Sequence, residues 1–454
     1  MSENCSKSEP DIWQEAAQIL DEEYASVDSI LADLDVSENN QVKGSLENCM
    51  KILKRDPLLK GAISKNELTC REDIVKPMPW KRTGATITDF DVYHIHWYFE
   101  QNYHIVNERN INKAIHIIAG ENSYHPIKKL LEGLEWDGVP RIDSLLPKYL
   151  GTDDSQYTRE VMHLLMQALI HRIYVPGCKF EIMICLVGGQ GAGKSTFFRL
   201  LAINDDWFSD DLKKLDDEKV YRKLQGHWIM EMSEMLATVN ARSIEDIKSF
   251  LSRQRDNYKI PYETHPEDRP RQCVFVGTTN NVDFLPQDRT GNRRFAPVRI
   301  NAANVEKHIL EDEAESRAYI LQAWAEAFHI YMNSDKHILK FSNEIEDYVL
   351  EVQQEFMPED TKFGLIMAWL EAKNYEYVSS RMIFEEVLHR DDFDTALKRD
   401  INEVNDVMNS IPGWEKKNSH RFPDGRIGRA WHRLKSNDNE GFIPVCDQME
   451  IPFD

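Results

Sequence analysis

The sequence predicts a parallel α/β core, led in by helices and followed by a small helical module that ends in a basic hairpin. Three observations predict it. From residue 180 onward, short apolar runs (180–187, 227–232, 272–279 and 295–300) alternate with helical stretches, the pattern of strands joined by crossover helices. A glycine-rich loop separates the first of these runs from a helix. Residues 85–175 show apolar spacing of three and four with no strand-like run.

A chain of 454 residues implies two to four domains at roughly 100–200 residues each. Its composition, 41% hydrophobic and 29% charged, is that of a globular protein with a sizeable core. The apolar run Ile182–Val187 is far short of the roughly 20 residues of a membrane span. The N-terminal MSENCSKSEPDIW lacks the apolar stretch of a secretory signal. Seven scattered cysteines without a CxxC pair argue against a zinc ribbon or a disulfide framework. Together these features predict a cytoplasmic protein with no membrane partner. The net charge of −22 is unevenly spread. Residues 1–40 hold eleven Asp/Glu and one Lys, whereas residues 413–435 hold seven Lys/Arg and two Asp/Glu. A polyanion responds to the local patch, within a Debye length of about 8 Å.

Residues 1–75 read as an acidic, mostly helical N-terminal arm, with Trp13, Ile19, Tyr24, Val27, Ile30 and Leu34 near helical spacing. Lys76-Pro77-Met78-Pro79-Trp80 reads as a linker. Residues 76–175 form a helical lead-in domain: Asp89 is expected to cap one helix, Asn110 precedes a second, and His125-Pro126 opens a third. A further helix spans 155–175. The core occupies 176–335. Residues 340–436 suggest short helices around Ile383–Leu388 and Ile401–Met408, then a hairpin over 414–434 turning at Phe422–Arg426. Residues 437–454 are an acidic tail.

The strongest motif is Gly188-Gly189-Gln190-Gly191-Ala192-Gly193-Lys194-Ser195, followed by Thr196. It fits GxxxxGK[ST], between a buried strand and a helix as that motif requires. Glycines let successive N–H groups turn toward one anion, and the helix start adds its dipole. Lys194 supplies charge for the β- and γ-phosphates of ATP, and the Ser195 hydroxyl suits Mg²⁺. An acid is then needed at a strand end. His227–Glu231 is such a strand, leaving Glu231 and Glu234 to share the metal and water-activating roles in either order; Glu234 as a helix cap is the competing reading. The run Val274–Thr279 ends in Asn280, placed to hold a water in line with the γ-phosphate. Arg293 and Arg294 follow a turn. Either they are solvated, or they reach a phosphate across a subunit boundary, a task suited to the guanidinium fork.

In this order, GGQGAGKST, HWIMEMSEM, IKSFLSRQRDNYKIPY, FVGTTN and DRTGNRRF resemble the virulence-associated protein E family of phages and phage-related islands. The lead-in SYHPIKKLLEGLEWDGVPRI matches it too. That family is similar to the superfamily 3 helicases, which are AAA+ ring ATPases. The resemblance, over about residues 80–335, implies a P-loop AAA+ core. Walker A falls on Lys194/Ser195, Walker B on Glu231/Glu234, the sensor on Asn280 and the arginine finger on Arg293/Arg294. Larger relatives carry an N-terminal primase, for which no acid cluster is visible here. The resemblance also implies that the insert between the second and third core strands forms a hairpin in a ring channel. Its Lys259, Tyr262 and His265 suit the tracking of phosphates and the stacking of bases; a solvated connection is the alternative. The C-terminal block looks like a winged helix, with Arg421, Arg426 and Arg429 on phosphates, or else a helical module without a DNA role.

These readings converge on an ATP- and Mg²⁺-dependent DNA helicase or translocase serving replication of a phage-related mobile element. It is expected to form a homo-oligomeric ring, a hexamer, with one strand in the channel and duplex at the winged helix. A host replication factor or a separately encoded primase is an expected partner. The rival readings are a nucleotide-switched DNA-binding regulator and a replication-interference protein that does not unwind.

Overall fold

A computed structural model describes residues 26–212, 215, 220–233, 241–258, 267–285, 292–358, 361–373, 375–390, 393, 397–423 and 425–434. The chain divides into two compact units, Met1–Met357 and Pro358–Asp454. No described helix is long and apolar enough to cross a membrane.

The first unit opens with α1 (Val27–Ala32), α2 (Leu46–Arg55), the antiparallel hairpin β1 (Ile63–Asn66) and β2 (Arg71–Ile74), α3 (Asp89–Tyr103) and α4 (Glu108–Glu121). Ser26, Ser45, Thr88 and Asn107 cap the four helices, each offering a side-chain oxygen to an otherwise unpaired N–H. The cap of α3 thus lies one residue before the expected Asp89, and α4 begins before Asn110 rather than after it. Buried Asp56 joins α2 to α3: its Oδ2 accepts from Tyr98 and Tyr103, and its Oδ1 from the amides of Leu58 and Leu59.

A division after residue 75 does not match the packing. Ile30, Ile52, Leu53 and Ile63 share one core with Ile95, Phe99, Ile111 and Ile115. Residues 27–75 are therefore part of the lead-in rather than a separate arm, because their apolar faces are buried against α3 and α4. The Pro-rich segment is tied in as well, since Trp80 Nε1 donates to Asp91 at 2.8 Å. Residues 1–25 lie outside the described set.

Next come α5 (Pro126–Glu132, capped by His125), α6 (Leu145–Leu150) and the nineteen-residue α7 (Gln156–Tyr174). The core follows as β3 (Met183–Val187), α8 (Lys194–Leu201), β4 (Phe208–Ser209), α9 (Val220–Leu224), β5 (Ile229–Met232), α10 (Ala241–Leu251), β6 (Arg255–Tyr258), β7 (Glu267–Pro270), β8 (Val274–Thr279), β9 (Phe295–Arg299), α11 (Glu313–Met332) and α12 (Glu346–Glu355). Five strands form one all-parallel sheet in the order β4-β5-β8-β3-β9. Strands β3, β5 and β8 are buried along their full length, as a parallel sheet covered on both faces requires. Trp228 beneath β5 stacks on Trp324 of α11 at 4.4 Å, and each indole N–H reaches a backbone carbonyl.

Helix α12 belongs to this unit: Gln353 donates to Phe295 O of β9 at 2.7 Å, and Val349, Val352 and Phe356 join the sheet's core. The chain thus divides at 357/358, not in the interval 335–340, because α12 finds its apolar partners on β9.

The insert between β5 and β8 contains an antiparallel hairpin, β6–β7, whose tip, 259–266, lies outside the described residues. At its base, Arg271 forms a fully buried two-pronged pair with Asp256 at 2.6 and 2.9 Å and donates to Phe250 O. Arg271 is therefore a structural cation, and Lys248 is buried too.

The second unit holds α13 (Thr361–Ala372), β10 (Tyr377–Val378), the single turn α14 (Ser380–Met382) running into a π-helical turn at Ile383–Val387, α15 (Lys398–Ser410), β11 (Trp414–Arg421) and β12 (Ile427–Arg433). Its sheet order is β10-β12-β11, fully antiparallel. Val378, Phe384, Val404, Met408 and Trp431 form a separate core.

Asp256→Ala leaves the Arg271 guanidinium buried without its counter-ion. It is expected to destabilise the first unit by about 3–5 kcal/mol, read as a lower urea midpoint; an unchanged midpoint contradicts this role.

Candidate functional site

The site lies at the carboxyl ends of β3, β5 and β8, where open parallel sheets leave a crevice. After Val187 the chain turns sharply, and Gly188 N donates to Thr279 O at 3.1 Å. A Cβ on Gly188 would lie 2.3 Å from Ile300 Cγ1, so no larger residue fits without moving that wall. Gly193, at φ +81°, is the N-cap of α8, a conformation glycine adopts freely. Gly189, Gln190 and Gly191 are exposed, whereas Ala192 and Thr196 are half-buried.

Four side chains predicted from the sequence converge here. Lys194, only 8% exposed, donates to Gly188 O, Gly189 O and Asn280 Oδ1 at 2.6, 2.7 and 2.8 Å. Ser195 Oγ donates to Glu231 Oε1 at 2.7 Å. Thr278, which sequence reasoning did not single out, donates from β8 to the same oxygen. No motif marked it: β5 and β8 pair Glu231 with Val276 and Met232 with Gly277, and that register brings the hydroxyl of the FVGTTN strand beside the acid.

Glu231 is fully buried, and its Oε2 has no hydrogen-bond partner among the described residues. Burial pushes its carboxyl above the ordinary range, opposed by the hydrogen bonds from Thr278 and Ser195. Burial likewise lowers the Lys194 ammonium, opposed by the Glu231 charge. Each group is thus biased toward its neutral form by desolvation and held toward its charged form by the other. An unpartnered carboxylate oxygen beside a hydroxyl is a donor set that fits a hard divalent cation such as Mg²⁺. The exposed glycine amides before a helix start fit an anion.

The two arginines occupy the other end of the sheet. They precede β9, which runs parallel to β3 with Phe295 opposite Met183, so they flank the start of β3 rather than its loop. Arg294 is engaged in its own chain, with Nε 3.3 Å from Glu181 and 3.2 Å from Ser252 Oγ. Arg294, expected from the sequence to be either solvated or reaching across a subunit boundary, is thus engaged within its own chain. Arg293, 69% exposed, stands 3.8 Å from Glu181.

Glu234, Lys259, Tyr262 and His265 lie outside the described residues. In the second unit, Arg421, Arg426 and Arg429 are exposed on and beside the β11–β12 hairpin.

The raised value of Glu231 has a pH consequence. For an acid with a raised folded-state value, the stabilising contribution is complete at low pH and is lost as the pH rises through that value. Glu231→Gln, which keeps an acceptor for Ser195 and Thr278, is expected to raise the thermal midpoint by a few degrees at alkaline pH. Below about pH 4, where carboxyls are protonated, it is expected to leave the midpoint nearly unchanged. Calorimetry showing no gain at alkaline pH contradicts this electrostatic account.

In fold, the chain is similar to the apo structure of the NrS-1 C-terminal region (305–718), at 15% identity over 82% of this chain and 95% of that one, with a TM-score of 0.44. An A-form apo structure of the same C-terminal region gives 16%, 82%, 96% and 0.45. The JCV helicase gives 12% identity over 61% of this chain and 84% of that one, with a TM-score of 0.26. No curated protein matches the chain in sequence. The virulence-associated protein E-like domain matches residues 131–358, from helix α5 through the five-stranded sheet to the end of the first unit. With that match taking in just over half of its length, the chain belongs to the virulence-associated protein E-like family.

Proposed function

We propose that this chain is an ATP-dependent DNA helicase or translocase acting in the replication of a phage-related mobile element. The observation that carries the reading is the convergence of Lys194, Ser195, Glu231 and Asn280 at the ends of three adjacent parallel strands. In this reading the first unit holds a P-loop AAA+ core and the second a winged helix.

The triphosphate lies along the amides of residues 189–193, and Lys194 exchanges its carbonyl partners for phosphate oxygens. Ser195 and Glu231 hold Mg²⁺, which neutralises phosphate charge. Thr278 fixes the orientation of the Glu231 carboxylate. Asn280 holds the attacking water, with Glu234 the candidate to polarise it.

Arg293 supports a ring. It is exposed and lies at the opposite end of the sheet from its own loop, which leaves a neighbouring subunit's triphosphate as the phosphate it serves. A hexamer places the hairpin bearing Lys259, Tyr262 and His265 in a channel around one strand. Arg421, Arg426 and Arg429 contact duplex phosphates, each such contact adding to the salt dependence of binding.

Lys194→Ala is expected to abolish ATP hydrolysis and unwinding of forked DNA while leaving the thermal midpoint within a few degrees of wild type. Retained unwinding overturns the motor. Wild-type hydrolysis without strand displacement favours the nucleotide-switched regulator instead. Arg293→Ala is expected to lower the ATPase rate by about 10³-fold or more at unchanged stability. Arg294→Ala lowers the unfolding midpoint as well, because it removes the contacts to Glu181 and Ser252. Equal effects of the two substitutions on both measurements would contradict this division of roles.

A further inference from the structure

Glu181 lies in the segment that leads into β3, and its side chain is 18% exposed. Its Oε2 accepts from Ser252 Oγ at 2.9 Å and pairs with Arg294 Nε at 3.3 Å, while its Oε1 stands 3.8 Å from Arg293. Arg294 Nε also donates to Ser252 Oγ at 3.2 Å, so acid, hydroxyl and guanidinium close a triangle. Burial pushes the Glu181 carboxyl up, but the Ser252 hydroxyl and the charges of Arg294 and Lys179 outweigh it and hold the group below the ordinary carboxylate range. Glu181 is therefore an anion at neutral pH.

Ser252 directly follows α10, and β6 begins three residues later at Arg255. The root of the β6–β7 hairpin is firmly packed. Arg271 N donates to Gln254 O at 3.0 Å, its guanidinium reaches Phe250 O and Asp256, and its carbonyl accepts from Gly177 N at 2.9 Å. Gly177, at φ +79°, has no room for a side chain: a Cβ there would lie 3.0 Å from Pro270 Cβ and 3.1 Å from Gln254 O. The segment 177–181, the end of α10 and both legs of the hairpin thus form one block. Arg293 is attached to this block through its neighbour. It sits in the single turn Asn292–Arg294, between buried Asn292 and anchored Arg294. Its backbone is held on both sides, and its side chain is exposed.

Coupling between two places needs an element with two arrangements, and the Ser252 hydroxyl supplies one. It lies 2.9 Å from Glu181 Oε2 and 2.9 Å from Lys248 O, one turn back in α10, and it has a single proton to give. With Arg293 near Glu181, part of the carboxylate charge is met by the arginine. With Arg293 drawn to a phosphate, that share is withdrawn, and the proton gains weight on Glu181 over the neutral carbonyl. We propose that Glu181 is a positioning residue that couples the phosphate contact of Arg293 to the root of the β6–β7 hairpin through Ser252. The proposal rests on the reading of Arg293 as the arginine that serves a neighbouring subunit's triphosphate, and deepens it. The acid that sets the arginine's station also passes its engagement to the element expected to carry DNA.

The test measures ATP hydrolysis and strand displacement of forked DNA by the full chain, and reads strands displaced per ATP consumed. Ser252→Ala cuts the link to the hairpin and leaves the pair of Glu181 with Arg294. It should leave the hydrolysis rate close to that of wild type and lower the strands displaced per ATP by about tenfold, the change expected for one hydrogen bond to a charged group. Ser252→Thr, which keeps the hydroxyl, should restore the wild-type ratio. Glu181→Gln, which keeps an acceptor for Ser252 but loses the charge, should lower both the hydrolysis rate and the ratio, and adding Ser252→Ala should lower the ratio no further. A wild-type ratio in Ser252→Ala, a lowered ratio that Ser252→Thr does not restore, or fully additive effects of the two substitutions overturns the coupling alone. Hydrolysis and thermal midpoint falling together in Ser252→Ala also overturn it, because the serine would then only hold the fold. Wild type that hydrolyses ATP and displaces no strand overturns the motor reading and this proposal with it.

Discussion

A buried carboxylate holds the site together. Glu231 accepts on one oxygen from Ser195, which opens α8, and from Thr278 on the adjacent strand, and so ties three segments distant in sequence to one point. Burying such a charge is costly unless it is hydrogen-bonded or neutralised. The opposing effects on Glu231 and Lys194 are the form that cost takes. The second carboxylate oxygen is left without a partner among the described residues, a demand that a bound cation would meet.

The parallel sheet determines what else this site can be. Because every strand runs the same way, all loops that follow strands lie at one edge and all segments that precede them at the other. Lys194, Ser195, Glu231 and Asn280 fall at the first edge, Arg293 and Arg294 at the second. Arg293 and Arg294 thus stand at the edge opposite the glycine loop. Glu181 separates their roles by engaging Arg294 closely and Arg293 at the limit of an ion pair. One cation is thereby fixed in the subunit and the other remains at its surface.

The core strands and the glycine loop were legible in the sequence because both are local signals: a buried parallel strand is a continuous apolar run, and a phosphate loop is one contiguous motif. The hairpin over 414–434 was legible for the same reason. What escaped was set by long-range packing. Residues 1–75 read as an acidic arm, yet Ile30, Ile52 and Ile63 share one core with residues of α3 and α4. Helix α12 looked like the start of the second unit, yet it packs on β9. Arg271 lies in the same basic insert as Lys259, yet Asp256, fifteen residues earlier, is its buried partner. Thr278 carried no motif of its own, and its place beside Glu231 follows only from strand register. Spacing along the chain identifies which groups can do chemistry; it does not show which of them are already used in holding the fold.

The most direct test is calorimetric titration of the purified chain with ATP, with and without Mg²⁺. The account predicts saturable, Mg²⁺-dependent binding in wild type that weakens by about tenfold to a hundredfold when Thr278→Val removes the hydroxyl holding Glu231, in line with loss of a hydrogen bond to a charged group. No Mg²⁺-dependent uptake by the folded wild-type chain would contradict it.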